Sequence, residues 1–387
     1  MKFFHTADWH LGKLVQGVHM TEDQRIVLEQ LIKAIEQEKP DALVIAGDLY
    51  DRAVPPTEAV RLLDDTLAKI VLDMKVPVIA VAGNHDSPGR LDFGSRALKS
   101  NGLHIAGPIR TEFEPVVLKD EAGEVHFHLV PYTDPSMVRH VFGNPEVKTH
   151  DDAMRAITGR ISAEMDPEAR HVFVGHAFVT PRGEQEDNTS DSERPLAIGG
   201  AEHVSAQHFQ PFHYTALGHL HKAHYVLDET IRYSGSPLKY SISEEHHRKG
   251  FHIVDLAADG SVSVEKRLFE AERDMRSVEG TIAEIMGHER SEDYVFVTLL
   301  DETPVLSPME KVRSVYPNAM HVQRKTFAKE AGESTLGSRR KMDPVQLFHA
   351  FYEEVKGDVP SAETAELFGE VLQEFLQADS EREEVKS

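Results

Sequence analysis

Cysteine is absent from all 387 residues, so the chain has no disulfide framework, no zinc–thiolate site and no thiol nucleophile. That absence suits a cytosolic protein, and a cytoplasmic location is the expectation. Basic residues are scarce beside acidic ones: 42 Lys and Arg against 65 Asp and Glu, a net charge of −23. Binding to nucleic acid through overall positive charge is therefore excluded, and any contact with DNA or RNA must come from a local patch, a bound metal or a partner chain. No run approaches the ~18 apolar residues of a membrane span. The start, MKFFHTADWH, reaches Asp8 and His10 too soon for the apolar core of a signal peptide. With 40% apolar and 28% charged residues, wholesale disorder is excluded as well. What is plentiful is histidine, at 23 copies, the commonest metal-ligating side chain.

The first half alternates strand and helix. Residues 2–6 predict a short buried strand, followed by the polar turn Ala7-Asp8-Trp9-His10. Thr21 and Gln24 form a capping-box pattern, and Val27, Leu28, Leu31, Ile32 and Ile35 recur at helical spacing before Pro40. Residues 42–46 (ALVIA) and 76–81 (VPVIAV) read as buried strands, with a helix opening at Pro56-Thr57 between them and Val60, Leu63, Leu67 and Ile70 on its inner face. This order predicts a parallel sheet inside an α/β sandwich. Further on come a hairpin around residues 119–124, an amphipathic helix over 151–165, and strands ending at Gly175-His176 and Gly218-His219-Leu220-His221. Between those two strands lies the acidic stretch 181–195, expected to be a mobile surface loop that gates a cleft. After about residue 270 the pattern changes to a small α+β unit around residues 294–300, then a basic linker with Arg339-Arg340-Lys341, then two amphipathic helices over 344–356 and 362–376. The expected division is 1–270, 271–335 and 336–387.

The strand ends share one property. Each reaches Gly or a small residue and then a hard or borderline metal ligand: Asp8 and His10, Asp48, Asn84 with His85, His176, then His219 and His221. In an α/β sheet the carboxyl ends of the strands form the ligand-binding crevice. Seven ligands are too many for one tetrahedral ion and suit two ions sharing a carboxylate, with Asp48 the natural bridge. Mixed imidazole, carboxylate and amide donors suit Mn²⁺, iron or Zn²⁺ over Ca²⁺. Two such ions acidify a bridging water and clamp a phosphate without any Ser or Cys nucleophile. His85 is expected to face the phosphate rather than the metals, with Asp86 orienting its ring. Taken alone, Gly47-Asp48 or Gly83-Asn84 reads as a turn, and a single histidine as a surface or core residue. Five such joints in order are the signal.

The set Asp8-Trp9-His10, Gly47-Asp48-Leu49-Tyr50-Asp51, Gly83-Asn84-His85-Asp86, Gly175-His176 and Gly218-His219-Leu220-His221 resembles the calcineurin-type metallophosphoesterases. The longer stretch His5-Thr6-Ala7-Asp8-Trp9-His10-Leu11-Gly12 and Gly175-His176-Ala177-Phe178 narrow the resemblance to the SbcD family of bacterial DNA-repair nuclease subunits. Tyr50, where that family suggests Phe, and Lys222-Ala223-His224 depart from its pattern without touching an expected ligand. The resemblance implies a phosphoesterase β-sandwich flanked by helices, a small α+β capping domain and C-terminal helices. It implies one ion on Asp8, His10, Asp48 and His221, a second on Asp48, Asn84, His176 and His219, and His85 as the catalytic histidine. It further implies Mn²⁺ and cleavage of DNA phosphodiesters, as a 3′-to-5′ exonuclease on duplex and an endonuclease on single strands and hairpins. The expected assembly is a homodimer within a heterotetramer with the coiled-coil SbcC ATPase. Residues 87–98, with Leu91, Phe93 and Leu98, resemble that family's dimer-forming region. Arg52 and Arg90, close to the site motifs, are candidates for contacts to the DNA backbone. The terminal helices suit a helix-in-groove contact with the ATPase. Two other functions remain open: a small-nucleotide phosphoesterase, which would not need the last ~115 residues, and a non-catalytic adaptor, which would be expected to lack ligands.

Overall fold

The computed structural model describes residues 1–183, 190–193, 202–325, 344–356, 359–361, 364–365, 367–369 and 371–372. Arg339-Arg340-Lys341 and most of the acidic stretch 181–195 lie outside these. Two compact units emerge, Met1–Lys325 and Thr326–Ser387.

The first unit is built on two six-stranded sheets. One runs Val262–Leu268, Gly250–Leu256, Lys2–Thr6, Ala42–Ala46, Val78–Val81, Leu103–Ala106. The other runs His224–Val226, Asp228–Tyr233, Tyr214–Gly218, Arg170–His176, Gly123–Val130, Val116–Asp120. In the first sheet the four strands from Lys2–Thr6 to Leu103–Ala106 pair in parallel, as the β-α-β-α-β order predicts. The second sheet is parallel across its four inner strands and closes with antiparallel edges.

Strand alternation sorts the side chains into layers. Phe3, Val44, Ile79, Phe127, Val172 and Tyr214 meet between the sheets. Phe4, Leu43, Ile45 and Val78 turn outward under the helices Thr21–Glu38 and Thr57–Ala68. Phe173, Leu217 and Val130 do the same under His150–Ala163. Each large apolar side chain buried this way contributes about 1.5–3 kcal/mol, so three cores hold the two strand layers rigid. In the helix Thr57–Ala68 the inward face differs from the sequence expectation. Val60 is exposed, and Leu62 joins Leu63 and Leu67 inside, because the inward stripe at three- and four-residue spacing runs through Ala59, Leu62, Leu63, Thr66 and Leu67 and leaves Val60 on the other side.

The strands Met275–Gly280, Tyr294–Leu299 and His321–Arg324 form a separate parallel sheet with Ile282–Met286 and Pro308–Val315 as crossovers. Its core is Val278, Ile285, Val295, Val297 and Val312. Tyr294 reaches back to the double-sheet body, donating from its hydroxyl to Asp23 at 2.8 Å. In the second unit the helix Pro344–Lys356 stacks Phe348 on Phe368 at 4.0 Å between ring centroids, while Leu347, Phe351, Leu367 and Val371 stay exposed. No described helix is long and apolar enough to cross a membrane.

Candidate metal centre

The parallel strands of both sheets deliver their carboxyl ends to one place. Lys2–Thr6 leads to Asp8 and His10, Ala42–Ala46 to Asp48, and Val78–Val81 to Asn84 and His85. In the second sheet His176 and Gly218 end level in register, and His219 and His221 follow. Four of these residues take left-handed backbone angles: Asp8 (φ 54°), His10 (46°), Asp48 (50°) and His219 (113°). Such angles cost a non-glycine residue about 1–3 kcal/mol and gather where function over-determines the backbone. The glycines beside them are required by close approach. A Cβ on Gly83 would strike the Asp48 carboxylate, and one on Gly218 would strike the Ala46 carbonyl.

The side chains converge. His10 Nε2 lies 3.1 Å from His221 Nε2 and 3.6 Å from Asp48 Oδ2. His176 Nε2 lies 3.5 Å from Asp48 Oδ2 and 2.9 Å from Asn84 Oδ1. His219 sits edge-on to His176 at 5.5 Å, and its backbone N–H donates to Asp8 Oδ1 at 2.9 Å. His85 donates its backbone N–H to Asp48 Oδ1 at 2.8 Å, with its ring 4.7 Å from that of His10. Asp8, His10 and His221 form one group able to hold a metal, and Asp8, Asp48 and His176 another. A third, His10, Asp51 and His85, is compromised by Lys13, whose Nζ holds Asp51 Oδ1 at 2.8 Å.

The rear contacts fix which ring atoms face inward. His176 Nδ1–H donates to the Ala46 carbonyl at 3.0 Å, and His221 Nδ1–H points at Glu244 Oε1 at 3.1 Å. Both rings therefore present Nε2 lone pairs to the centre. Asp8 Oδ2 is buried there with no hydrogen-bond partner. Lone pairs facing lone pairs, beside an orphaned carboxylate oxygen, repel one another unless a cation sits among them. The donor set thus fits divalent metal ions. The imidazoles are held neutral, as ligands must be, whereas the Asp8 and Asp48 carboxylates are crowded and buried with too little positive charge to favour their ionised form. Burial, then the neighbouring imidazoles, keeps His10 and His219 neutral well below the usual range, and burial takes His176 down to about 4. Burial raises Asp8 well above the carboxylate range, Asp48 adding to it, and burial pushes Asp48 up to about 6.

Several supporting residues escape the sequence reading. Asp86 does not touch the His85 ring. Its carboxylate accepts the backbone N–H groups of Leu49, Tyr50 and Gly83 at 2.9–3.1 Å, tying the Asp48 loop to the Asn84 loop. The His85 ring is oriented instead by Nδ1, which donates to the Asp51 carbonyl at 2.8 Å. Gln24 makes no cap for its helix. It accepts from Gly12 N–H and donates to the carbonyls of Trp9 and His10, with the Tyr240 hydroxyl donating to Trp9 as well. Glu244 stays ionised although burial opposes it, because Lys249 lies against it and His221 donates to it. Gln24 sits in the polar run Thr21-Glu22-Asp23-Gln24-Arg25, so nothing local in the sequence flags it, and nothing local flags Glu244. Arg52 and Arg90 are exposed, Arg90 on the short helix Pro88–Leu91.

Residues 1–223 match the model of the calcineurin-like phosphoesterase family, and residues 271–356 match that of the type 5 capsule protein repressor C-terminal domain. The chain is 33% identical over 356 residues to the D subunit of the nuclease SbcCD from Staphylococcus epidermidis, covering 91% of this chain and 92% of that one. Among solved structures, a dimetal phosphatase from Danio rerio is similar at 12% identity and a TM-score of 0.40, covering 69% of this chain and 96% of its own. A protein from Thermus thermophilus is similar at 11% identity and a TM-score of 0.38, covering 68% and 98%. The match over 223 of 387 residues, with the near full-length relative, shows that the chain belongs to the calcineurin-like phosphoesterases and, within them, to the SbcD family of nuclease subunits.

Proposed function

We propose that the protein is a metal-dependent DNA nuclease subunit that hydrolyses phosphodiesters at this centre and works with a coiled-coil ATPase of the SbcC kind. The observation that carries the reading is the convergence of inward lone pairs with the orphaned Asp8 oxygen at the ends of both sheets. Two divalent ions bound there, Mn²⁺ in this reading, supply a hydroxide at neutral pH and a clamp for the phosphate. Asp8, His10, Asp48 and His221 would hold one, and Asp48, Asn84, His176 and His219 the other. His85 has Nδ1–H committed to the Asp51 carbonyl, which leaves Nε2 to work on substrate. Protonated, Nε2 donates to the phosphoryl oxygens or to the leaving oxygen. The Asp86 carboxylate keeps the His85 loop in register with Asp48, so the ring arrives pre-positioned.

An acidic chain needs help to hold a polyanion. Exposed Arg52 and Arg90 near the site motifs are the proposed backbone contacts, and the ATPase supplies the rest. Phe93, 87% exposed beside Arg90, and Leu98 suit a homodimer contact, giving a heterotetramer with the partner. In the second unit the Phe348–Phe368 stack leaves Leu347, Phe351, Leu367 and Val371 outward, which suits a helix-in-groove contact with a coiled coil.

The test is cleavage of linear duplex DNA with Mn²⁺, with and without the ATPase. Metal- and partner-dependent shortening of the duplex is expected. Robust turnover of small nucleotide phosphates by the chain alone, with no action on DNA, would replace this reading with the small-molecule one. Deleting residues 343–387 should abolish association with the ATPase and leave metal binding intact.

A further inference from the structure

Residues 190–193 belong to a stretch that reads in the sequence as a solvated loop, yet they sit against the centre. Glu193 Oε1 accepts the backbone N–H of His221 at 2.6 Å, and its Oε2 accepts Ser190 N–H at 2.7 Å. Ser192 Oγ lies 2.8 Å from His221 Nδ1 and donates to Glu244. Lys249 completes the cage. Its Nζ donates to the His221 carbonyl at 2.9 Å, to Ser236 Oγ at 2.8 Å, and to Glu244. His221 is thus gripped at its N–H, its carbonyl and its rear ring nitrogen, and two of the residues that do so, Ser192 and Glu193, come from a segment about 28 residues upstream.

His176 is held differently. Its rear nitrogen has a single hydrogen-bond partner, the carbonyl of Ala46 at the end of a central strand, with Asp8 Oδ1 farther off at 3.8 Å. That carbonyl cannot withdraw without opening the sheet. The partners Ser192 and Glu193 belong to neither six-stranded sheet, so their side-chain contacts can be removed by substitution while both sheets stay intact.

We propose that Ser192 and Glu193 are positioning residues for His221, and that they make the two metal positions unequal. The ion held with His221 depends on this strap; the ion held with His176 does not. The inference rests on the two-ion reading above. Its physical basis is that partners behind a ligating imidazole fix its tautomer, its orientation and the basicity of the metal-facing nitrogen. Without Ser192 the Nδ1–H keeps only the longer contact to Glu244. Without Glu193 the backbone of a left-handed turn loses the acceptor that sets where His221 starts.

The experiment is a titration of Mn²⁺ into the metal-free full-length chain by calorimetry, with electron paramagnetic resonance to separate coupled pairs from single ions. The wild type should take two ions and show a coupled signal. Ser192→Ala and Glu193→Ala should each weaken one ion about 10- to 100-fold and leave the other within about twofold, so that the uncoupled signal dominates at intermediate Mn²⁺. Ser192→Thr and Glu193→Gln, which keep the oxygen, should restore the coupled signal. Equal weakening of both ions, or no weakening of either, would overturn the proposal. A wild type that takes fewer than two ions would overturn the two-ion reading instead. Melting of each metal-free variant tells loss of fold from loss of site, and where Glu193→Ala does not fold, the Ser192 pair decides.

Discussion

Histidines gather at both ends of the second sheet, and only one gathering is built to take metal. The strand Arg170–His176 carries a member of each: His171 at its start and His176 at its end. Around His171 every polar contact closes on the chain itself. His171 Nε2–H donates to the Asp166 carbonyl at 2.8 Å, its Nδ1 faces His128 Nε2 at 3.0 Å, and its backbone N–H donates to His213 Nδ1 at 2.9 Å. The lone pairs of His171 and His213 there are spent on N–H donors, and no carboxylate shares a metal-sized space with these rings among the described residues: Glu124 is engaged with His126. At His176 the Nδ1–H points at the Ala46 carbonyl, with Asp8 Oδ1 3.8 Å from the same nitrogen, and the Nε2 lone pair points inward at Asp48 Oδ2 and Asn84 Oδ1. Imidazole count is the same kind of raw material in both places. Which nitrogen is tied down from behind, and whether carboxylates share the space, decides that one end is a centre and the other a fastening.

The sharpest way to break this contrast is to remove a charge from one end and a ring from the other. Asp48→Ala deletes the carboxylate shared by both proposed positions, and cleavage should fall at least about 10³-fold with metal stoichiometry reduced. His171→Asn should leave cleavage and stoichiometry unchanged in the same assays. A comparable loss of bound metal in both variants would show that the two gatherings are equivalent after all. His85→Ala comes next. It should lower cleavage about 10²- to 10⁴-fold while two ions still bind, because the ring itself is held by the Asp51 carbonyl and not by the ligand set. Full activity in that variant would remove the assigned role.

Much of the centre is legible in the chain because strand ends are local. Asp8, Asp48, Asn84 and His176 each follow a short apolar run, and a parallel sheet brings such ends together whatever the details. The parts that were not legible are long-range. Gln24 looks like a helix cap from its spacing to Thr21, yet its amide is taken up by carbonyls 14 and 15 residues away. Asp86 looks like a partner for its neighbour His85, but backbone N–H groups outbid it, because three buried donors would otherwise lack an acceptor. Glu244, Lys249, Ser192 and Glu193 reach His221 from separate segments, and no periodicity encodes that. The small parallel sheet was legible at the strand Tyr294–Leu299 and its flanking helices, since apolar side chains there alternate or recur within one element.

Metal should also separate the two ends by stability. An ion that binds only the folded chain adds RT ln(1 + [L]/Kd), about 2.7 kcal/mol at a hundredfold excess over Kd. Mn²⁺ should therefore raise the melting temperature of the wild type and of His171→Asn by several degrees, and that of Asp48→Ala by much less. Equal shifts in all three would mean that the stabilising ion binds elsewhere.

The smallest effect belongs to the fastening itself and runs through pH. His128 is pushed down to about 3, by burial first and by His171 and His126 beside it, against an ordinary value of 6.5. Its Nε2 faces His171, its Nδ1 is buried without a partner, and Phe212 closes one side at 5.7 Å between rings. The folded chain keeps this ring neutral where the unfolded chain protonates it, so the unfolded state binds more protons and stability falls as pH drops. The window opens near 6.5 and extends toward about 3. In metal-free protein, His128→Gln should flatten the fall in unfolding free energy between pH 6.5 and 4.5 by an amount on the order of 1 kcal/mol, whatever it costs at neutral pH. The same slope in variant and wild type would mean that the ring is protonated in the fold and that this end of the sheet is open to water.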